Sequence, residues 1–217
     1  ALLGCEVQTE IGNINTDSDV YVLSVSDSAL PQIVPQLCAG RDGGIFVHTA
    51  GSIPADIFRG HARHYGVVYP MQTFSKDARL DFRKIPCFIE ASDDGTLDVL
   101  QTMCREISDS VVPLGSDDRK YLHLAAVFAS NFVNHCYNVA FHIMRSHGIP
   151  FEYMYPLIDE VASKIHSMTP SDAQTGPAVR NDRNVIDRHL SLLSDEPEFR
   201  EIYGIMSDGI HKIRNKS

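Results

Sequence analysis

The sequence of 217 residues lacks any apolar run that approaches the roughly 20 residues needed to span a membrane. Its five cysteines are scattered and form no Cys-x-x-Cys pair, so the sequence predicts neither a disulfide framework nor a zinc site. This cysteine usage favours a reducing cytoplasm. No Gly-x-Ser-x-Gly elbow occurs, which disfavours a catalytic triad built on a hydroxyl nucleophile.

Basic residues are also few. Lys and Arg total 19 against 28 Asp and Glu, and the resulting net charge of −9 opposes binding to nucleic acid or to an anionic membrane. His61 and His64 are three apart, but no third ligand follows at a suitable spacing, so we expect no metal site. The hydrophobic content of 43% is typical of a soluble globular protein with one large or two modest domains.

Short β-rich runs alternate with helical or loop segments in the first half of the chain, a pattern that predicts a parallel sheet covered by helices. From Ser116 onward the pattern changes to long helical segments. We therefore predict an α/β domain over residues 1–115 and an all-helical domain over residues 116–217. The predicted strands are Val20–Val25, Gly44–His48, Tyr65–Tyr69, Cys87–Ala91 and Val111–Leu114.

One predicted helix, from about Tyr121 to Met144, carries a polar stripe. At about 100° per residue, His123, Asn131, Asn134 and Asn138 fall within one narrow face. The other sides are apolar enough to bury the helix nearly all round, which predicts that the stripe is buried too. Buried polar groups need partners, so the stripe either bonds to neighbouring elements or lines a cleft that holds a polar ligand.

Small polar segments follow the first two predicted strands, at Ser24–Asp27 and at His48–Ser52. Ligands of open α/β sheets bind at the carboxyl ends of the strands, where helix N-termini and backbone N–H groups gather. Both segments are therefore candidates for ligand binding. The alternative is that small residues simply make tight turns here.

Two further segments carry several hydrogen-bonding side chains. Gly66–Ser75 leaves a predicted strand and either borders the same crevice or is a packed loop in which Tyr69 and Phe74 are core residues. The loop Ala173–Asp182 contains Arg180, which could hold a substrate carboxylate in bidentate fashion. The alternative for this loop is an ion pair of Arg180 with Asp182 or with another subunit, and Thr175 as a helix cap.

Several strings in the sequence resemble the putative NADP oxidoreductases that are similar to pyrroline-5-carboxylate and ketopantoate reductases. In chain order these strings cover His48–Pro54, Tyr69–Lys76, His123–Phe128, Asn131–His135 and Gln174–Arg180. The resemblance implies a Rossmann-like N-terminal domain and a C-terminal helical domain of the 6-phosphogluconate dehydrogenase type. It also implies NADP as cofactor, with NAD as the alternative, and a homodimer formed through the helical domain.

The function implied is hydride transfer between NADP(H) and a small polar substrate in a cleft between the domains. The alternative is a non-catalytic metabolite-binding or regulatory protein on the same scaffold. His123 is the expected proton donor, since imidazole titrates near neutrality, and Asn131 and Asn134 would orient a carbonyl or imine. The expected cofactor-binding residues are Val25, Ser26, Asp27, His48, Thr49, Ala50, Gly51 and Ser52, and the expected substrate-binding residues are Met71, Gln72, Thr73, Gln174, Thr175, Arg180 and Asp182.

The sequence departs from the family pattern in one respect, because no Gly-x-Gly-x-x-Gly turn follows a first strand. The glycines of Gly40–Gly44 precede the second predicted strand instead. We expect that about 50 residues with the first two strands precede this sequence, since a parallel sheet without its central strand would expose apolar edges. The alternative is that the protein has lost its cofactor site.

Overall fold

The computed structural model describes residues 5–76 and 79–214. It consists of two compact units, which meet in the chain at Val133 and Asn134. The first unit contains the sheet and the second is helical. The predicted boundary near Gly115 marks the change from strands to helices, and the first helix after it still belongs to the sheet-containing unit.

Five strands form one sheet in the order β1-β2-β3-β4-β5. Their bounds are Val20–Leu23 (β1), Ile45–His48 (β2), His64–Pro70 (β3), Cys87–Ala91 (β4) and Val111–Pro113 (β5). All five lie where the apolar runs predicted them. β1, β2 and β3 are mutually parallel, as are β4 and β5, and only the β3–β4 pair is antiparallel.

The sheet is mainly parallel, as expected, and it departs from this expectation only at the antiparallel β3–β4 pair. A parallel crossover needs a connection of a dozen or more residues, usually with a helix to cross the sheet. Between β3 and β4 the described residues form no α-helix and only a 3₁₀ turn at Phe82–Lys84. The chain therefore turns back and runs antiparallel to β3.

Helix α1 (Leu30–Cys38) buries Leu30, Val34 and Leu37 against β1 and β2, where Phe46 is nearly inaccessible. The helix begins after Ala29, and no side chain caps it. A proline in the first turn begins the helix instead. Helix α2 (Asp94–Arg105) packs on the sheet through Leu100 and Cys104, and Asp93 caps it by accepting a hydrogen bond from the Thr96 N–H.

The glycine-rich segment before β2 has a structural role. Arg41 is buried and donates to the carbonyl oxygens of Ile11 and Ile14, which fastens the segment that precedes β1. Gly44 lies against the Tyr21 ring, which a Cβ at this position would approach to 2.4 Å. The segment therefore packs against the protein through Arg41 and Gly44.

The long helix contains an interruption that its sequence pattern does not show. It runs as α3 (Ser116–Ala126), a π-helical segment (Val127–Phe132) and α4 (Val133–Ser146). The π segment shifts the phase of the helix, so positions before and after it no longer follow a constant 100° step. The expected burial of the whole helix is wrong for this chain: Phe128 is 61% exposed, and Asn131 and Asn134 are exposed as well.

The second unit begins with α4, which ends at Ser146. Gly148 follows with a positive φ, and the Ile149 N–H is bonded to the Met144 carbonyl. A 3₁₀ turn (Phe151–Met154) leads into the remaining helices. These are α5 (Tyr155–Lys164), the short α6 (Pro170–Ala173), α7 (Arg183–Leu192) and α8 (Pro197–Arg214). No helix of the described residues is long and apolar enough to cross a membrane.

Candidate functional site

A cavity of about 390 Å³ opens at the carboxyl ends of the three parallel strands of the first unit. Ser24 lies just after β1, Thr49 just after β2, and Tyr69 and Pro70 at the end of β3. The segment that follows β3 completes the lining with Gln72, Phe74 and Phe82. The cavity therefore occupies the position where ligands of open α/β sheets bind.

His48, the last residue of β2, is completely buried and forms hydrogen bonds with the loop that follows. Its Nδ1 accepts a hydrogen bond from the Ala50 N–H, so Nε2 carries the hydrogen that faces the Pro54 carbonyl at 3.4 Å. Burial lowers the pKa of His48 to about 4, and the charge of Arg119 contributes to the lowering. His48 is thus neutral at physiological pH and shapes the loop that it begins.

Two side-chain contacts join the loops after β1 and β2. The Ser52 hydroxyl donates to the Asp27 carboxylate at 2.6 Å, and the Thr49 and Ser24 hydroxyls are 3.5 Å apart. The Thr49 N–H also donates to the Leu23 carbonyl. The two segments that the sequence singled out after successive strands are therefore in contact in the structure.

The most specific arrangement at the site is formed by Tyr69, His123 and Gly51. The Tyr69 Oη and the His123 Nδ1 are 3.1 Å apart, and their rings meet edge to face. A Cβ on Gly51 would lie 2.5 Å from the His123 Nδ1 and 2.9 Å from the Tyr69 Cζ. A side chain at position 51 would therefore collide with this pair, and glycine lets the loop approach it closely.

Burial also affects the chemistry of Tyr69. It raises the pKa of the phenol above its ordinary value, and the nearby Arg119 charge offsets part of that rise. The phenol therefore keeps its proton at neutral pH. It lines the cavity and hydrogen-bonds a histidine, which gives the site a paired proton donor and acceptor.

The other predicted residues of the first unit differ in their surroundings, and of these only Gln72 lines the cavity. Val25 is 41% exposed, and the Ser26 hydroxyl is 3.3 Å from the Ser28 hydroxyl. The Met71 N–H is bonded to the Pro86 carbonyl. Gln72 lines the cavity, and its side chain accepts from the Thr73 N–H. Asn131 is exposed in the π segment.

The remaining predicted residues belong to the second unit. Asn134 is exposed on α4, and Gln174 and Thr175 are exposed in the loop before α7. Asp182 caps α7 by accepting a hydrogen bond from the Val185 N–H. Arg180 is exposed and forms no ion pair with Asp182 among the described residues. Thr175 caps no helix there; the cap of α6 is Thr169.

Two residues of the site, Tyr69 and Arg119, are not among the site residues that the sequence predicts. For Tyr69 the sequence leaves open a core position or one beside the crevice, and in the structure Tyr69 lines the cavity. The local composition does not indicate that Arg119 is buried, because an Arg among Ser116, Asp117, Asp118 and Lys120 is typical of a solvated first turn. Arg119 is 1% exposed and pairs with Glu90 of β4. Its position four residues before His123, on the same helix face, was the available indication.

Comparison with known proteins identifies the family. Residues 85–210 match the family model of DUF2520, a domain of unknown function. A crystal structure described as a putative NADP oxidoreductase from Bacteroides fragilis is 44% identical, with a TM-score of 0.90, over 94% of this chain and 80% of its own. The chain belongs to the DUF2520 family. No protein of curated function matches the sequence.

Two less similar structures share the fold of this DUF2520 protein. A protein from Thermotoga maritima is 22% identical with a TM-score of 0.74, and it covers 94% of this chain and 81% of its own. An imine reductase from Myxococcus stipitatus, in complex with NADP⁺, is 16% identical with a TM-score of 0.61 over 99% of this chain and 80% of its own. The expected Rossmann-like sheet followed by a helical region is thereby confirmed.

Proposed function

We propose that this DUF2520 protein is an NADP(H)-dependent oxidoreductase that acts on a small polar carbonyl or imine compound. The main support for the proposal is the position of the hydrogen-bonded Tyr69–His123 pair. Tyr69 of this pair lines a cavity at the carboxyl ends of three parallel strands. The description of the 44% identical relative as an NADP oxidoreductase supports the same cofactor, and NAD is the alternative.

The residues at the strand ends fit the nicotinamide end of a dinucleotide. The segments Val25–Asp27 and His48–Ser52 are small and polar, and the glycine at position 51 lets the loop lie directly against the Tyr69–His123 pair. The cavity volume of about 390 Å³ falls within the usual range for small-ligand sites. When bound, the nicotinamide supplies or accepts a hydride.

The chain's own contribution is proton transfer. When the His123 Nδ1 carries a hydrogen, it donates to the Tyr69 oxygen, and the phenol hydrogen is then free to point into the cavity. Tyr69 can protonate a reduced carbonyl oxygen or imine nitrogen, and His123 can return the proton to it. We assign His123 and Tyr69 to this relay, and Asn131 and Asn134 to orienting the substrate. Gln72 and Arg180 are proposed as contacts for the polar and acidic groups of the substrate.

We further propose that the protein is a homodimer in which the helices of the second unit form the interface. Large apolar side chains on α7 and α8 are exposed in the single chain: Leu192 is 77% and Ile205 65% accessible. Such side chains favour an interaction site if they form one contiguous apolar surface. The proposed partners are thus a second copy of the chain and a small-molecule substrate.

The proposed function is tested by following NADPH oxidation with a panel of carbonyl and cyclic imine compounds that carry a carboxylate. We expect turnover of at least one of them, and a fall in kcat of about 100-fold or more in His123→Gln and Tyr69→Phe. Binding of NADPH should be unchanged in both variants. His147→Gln is the matched control, since His147 is exposed on the second unit. Turnover at the full rate by both variants would remove the pair from the mechanism.

A further inference from the structure

The loop that carries Gly51 is attached to α3 by a buried polar network. Ser116 and Arg119, in the first turn of α3, reach the loop and the sheet together. The Ser116 hydroxyl accepts from the Ala55 N–H at 3.1 Å and donates to the Glu90 carboxylate at 2.6 Å. Arg119 donates to the same Glu90 oxygen, to the Ile53 carbonyl at 2.5 Å and to the Ser116 hydroxyl at 3.2 Å.

The network holds the loop on both sides of Pro54. Arg119 donates to the Ile53 carbonyl, and Ser116 accepts from the Ala55 N–H. Between these two residues, the Pro54 carbonyl is bonded to His48. The backbone from position 48 to position 55 is therefore fixed at its start and along its last three residues. Gly51 lies in the middle of this fixed segment.

The geometry of α3 relates this network to the Tyr69–His123 pair. Residues four apart lie on the same face of a helix, so Arg119 and His123 both face the sheet. Glu90 pairs with Val67 across the β3–β4 ladder, and Tyr69 is two residues further along β3 on the same face. The Arg119–Glu90 contact and the His123–Tyr69 contact therefore lie one helical turn apart along α3.

Burial of the Arg119 side chain costs desolvation free energy, which an arginine at the surface would not lose. Its side chain is 1% exposed, and Glu90 is 21% exposed. Burying such a pair is no general route to stability, because desolvation of the charges offsets their attraction. Its hydrogen bonds, however, are directional and join three elements: the loop after β2, the strand β4 and the helix α3.

We infer that Arg119 is a positioning residue, which holds Gly51 of the loop and His123 of α3 in contact with Tyr69 at the cavity. Its effect on turnover rests on the proposed function, whereas its effect on the Tyr69–His123 contact does not. The two can therefore be measured separately.

The test uses Glu90→Met/Arg119→Met, which removes both charges together, because loss of one partner alone would leave the other buried and uncompensated. A second variant, Arg119→Lys, keeps the charge that faces Glu90 but loses the planar fork that also reaches the Ile53 carbonyl. Lys120→Met is the matched control, since the exposed Lys120 side chain pairs with Asp117 on the same helix.

The readout is the NMR cross-peak between the Tyr69 and His123 rings in the labelled protein without NADPH. We expect the cross-peak to be lost in the double variant, weakened in Arg119→Lys and unchanged in Lys120→Met. In the turnover assay the double variant should lose kcat by about 100-fold, the scale of a 1 Å misplacement, while KM for NADPH stays within about twofold.

Wild-type cross-peak intensity in a folded double variant would overturn the inference. If the double variant does not fold, Arg119→Lys decides by the same criterion. Absence of NADPH oxidation by the wild-type protein would instead refute the proposed function, and the cross-peak comparison would still report on Arg119.

Discussion

Replacement of Gly51 by alanine is a sharp perturbation of the site, because the added methyl group meets both members of the Tyr69–His123 pair. The methyl carbon would lie 2.5 Å from the His123 Nδ1 and 2.9 Å from the Tyr69 Cζ. Favourable contacts between heavy atoms begin at about 3.5 Å. The imidazole must therefore move by about 1 Å, or the loop must withdraw by the same distance.

The loop is the less movable of the two. Its ends are held by the bonds of His48, Arg119 and Ser116, whereas the rings of Tyr69 and His123 can rotate about their side-chain bonds. We expect the pair to separate and the backbone to remain in place. The cost in stability is that of an overpacked contact, about 1–3 kcal/mol.

The expected effect on turnover is larger than the effect on stability. A displacement of about 1 Å in a proton-transfer site lowers kcat by about 100-fold. The assays are NADPH oxidation and the ring-to-ring NMR cross-peak of Tyr69 and His123. Gly43→Ala is the control, because a Cβ at Gly43 meets nothing within 4 Å and lies outside the site.

A wild-type kcat together with the wild-type cross-peak in Gly51→Ala would show that the added methyl group does not displace the pair. Retention of the cross-peak with loss of turnover would show that the loop moved instead. Loss of the cross-peak with full turnover would show that the contact is dispensable for proton transfer.

Two further predictions concern stability and assembly. Because the pKa of His48 falls to about 4 on folding from an ordinary value of 6.5, the unfolded chain takes up the proton first, so stability should decline by about 3 kcal/mol as pH falls from 6.5 to 4. Denaturant unfolding at several pH values measures this decline, and an equal decline in His48→Asn would contradict the assignment. Sedimentation velocity should show a dimer that dissociates in Leu192→Asp and Ile205→Asp. The dimer should persist in the control Val99→Asp, because Val99 is 44% exposed on the first unit. A monomeric wild-type protein would refute the proposed interface.

The strands and most helices could be predicted from the sequence because their signals are local. Apolar runs such as Val20–Leu23 and Cys87–Ala91 are bounded by polar or turn-forming residues, and all five strands lie where these runs predict them. The direction of β4 is different. It depends on the path of the connection after β3, which no periodicity encodes.

The helix interruption and the partners of the site were not predictable in the same way. A π segment leaves the apolar pattern of Val127–Phe132 unchanged while it shifts the phase of everything that follows. The predicted burial of the polar stripe assumes a straight helix and is therefore too high. His123 stands out in the sequence because it lies on an apolar helix, whereas its contact with Tyr69 joins residues 54 positions apart.

Arg119 shows a related limit. An arginine beside two aspartates and a lysine has the composition of an exposed helix start, and only the tertiary structure shows that its carboxylate partner is Glu90 of β4. The small residues after β1 and β2, in contrast, indicate the site from the local sequence alone. At the ends of parallel, adjacent strands such residues leave space for a ligand.

Whether the protein is an NADP(H)-dependent oxidoreductase is decided by hydride transfer from NADPH that carries deuterium at both C4 positions of the nicotinamide, with the carbonyl and imine panel as acceptors. We expect deuterium in the reduced product of the wild-type protein, and about 100-fold slower formation of that product in Gly51→Ala, Tyr69→Phe and His123→Gln. If NADPH binds but no member of the panel oxidises it, this result would contradict the proposed enzymatic function. It would favour a non-catalytic binding protein on the same scaffold.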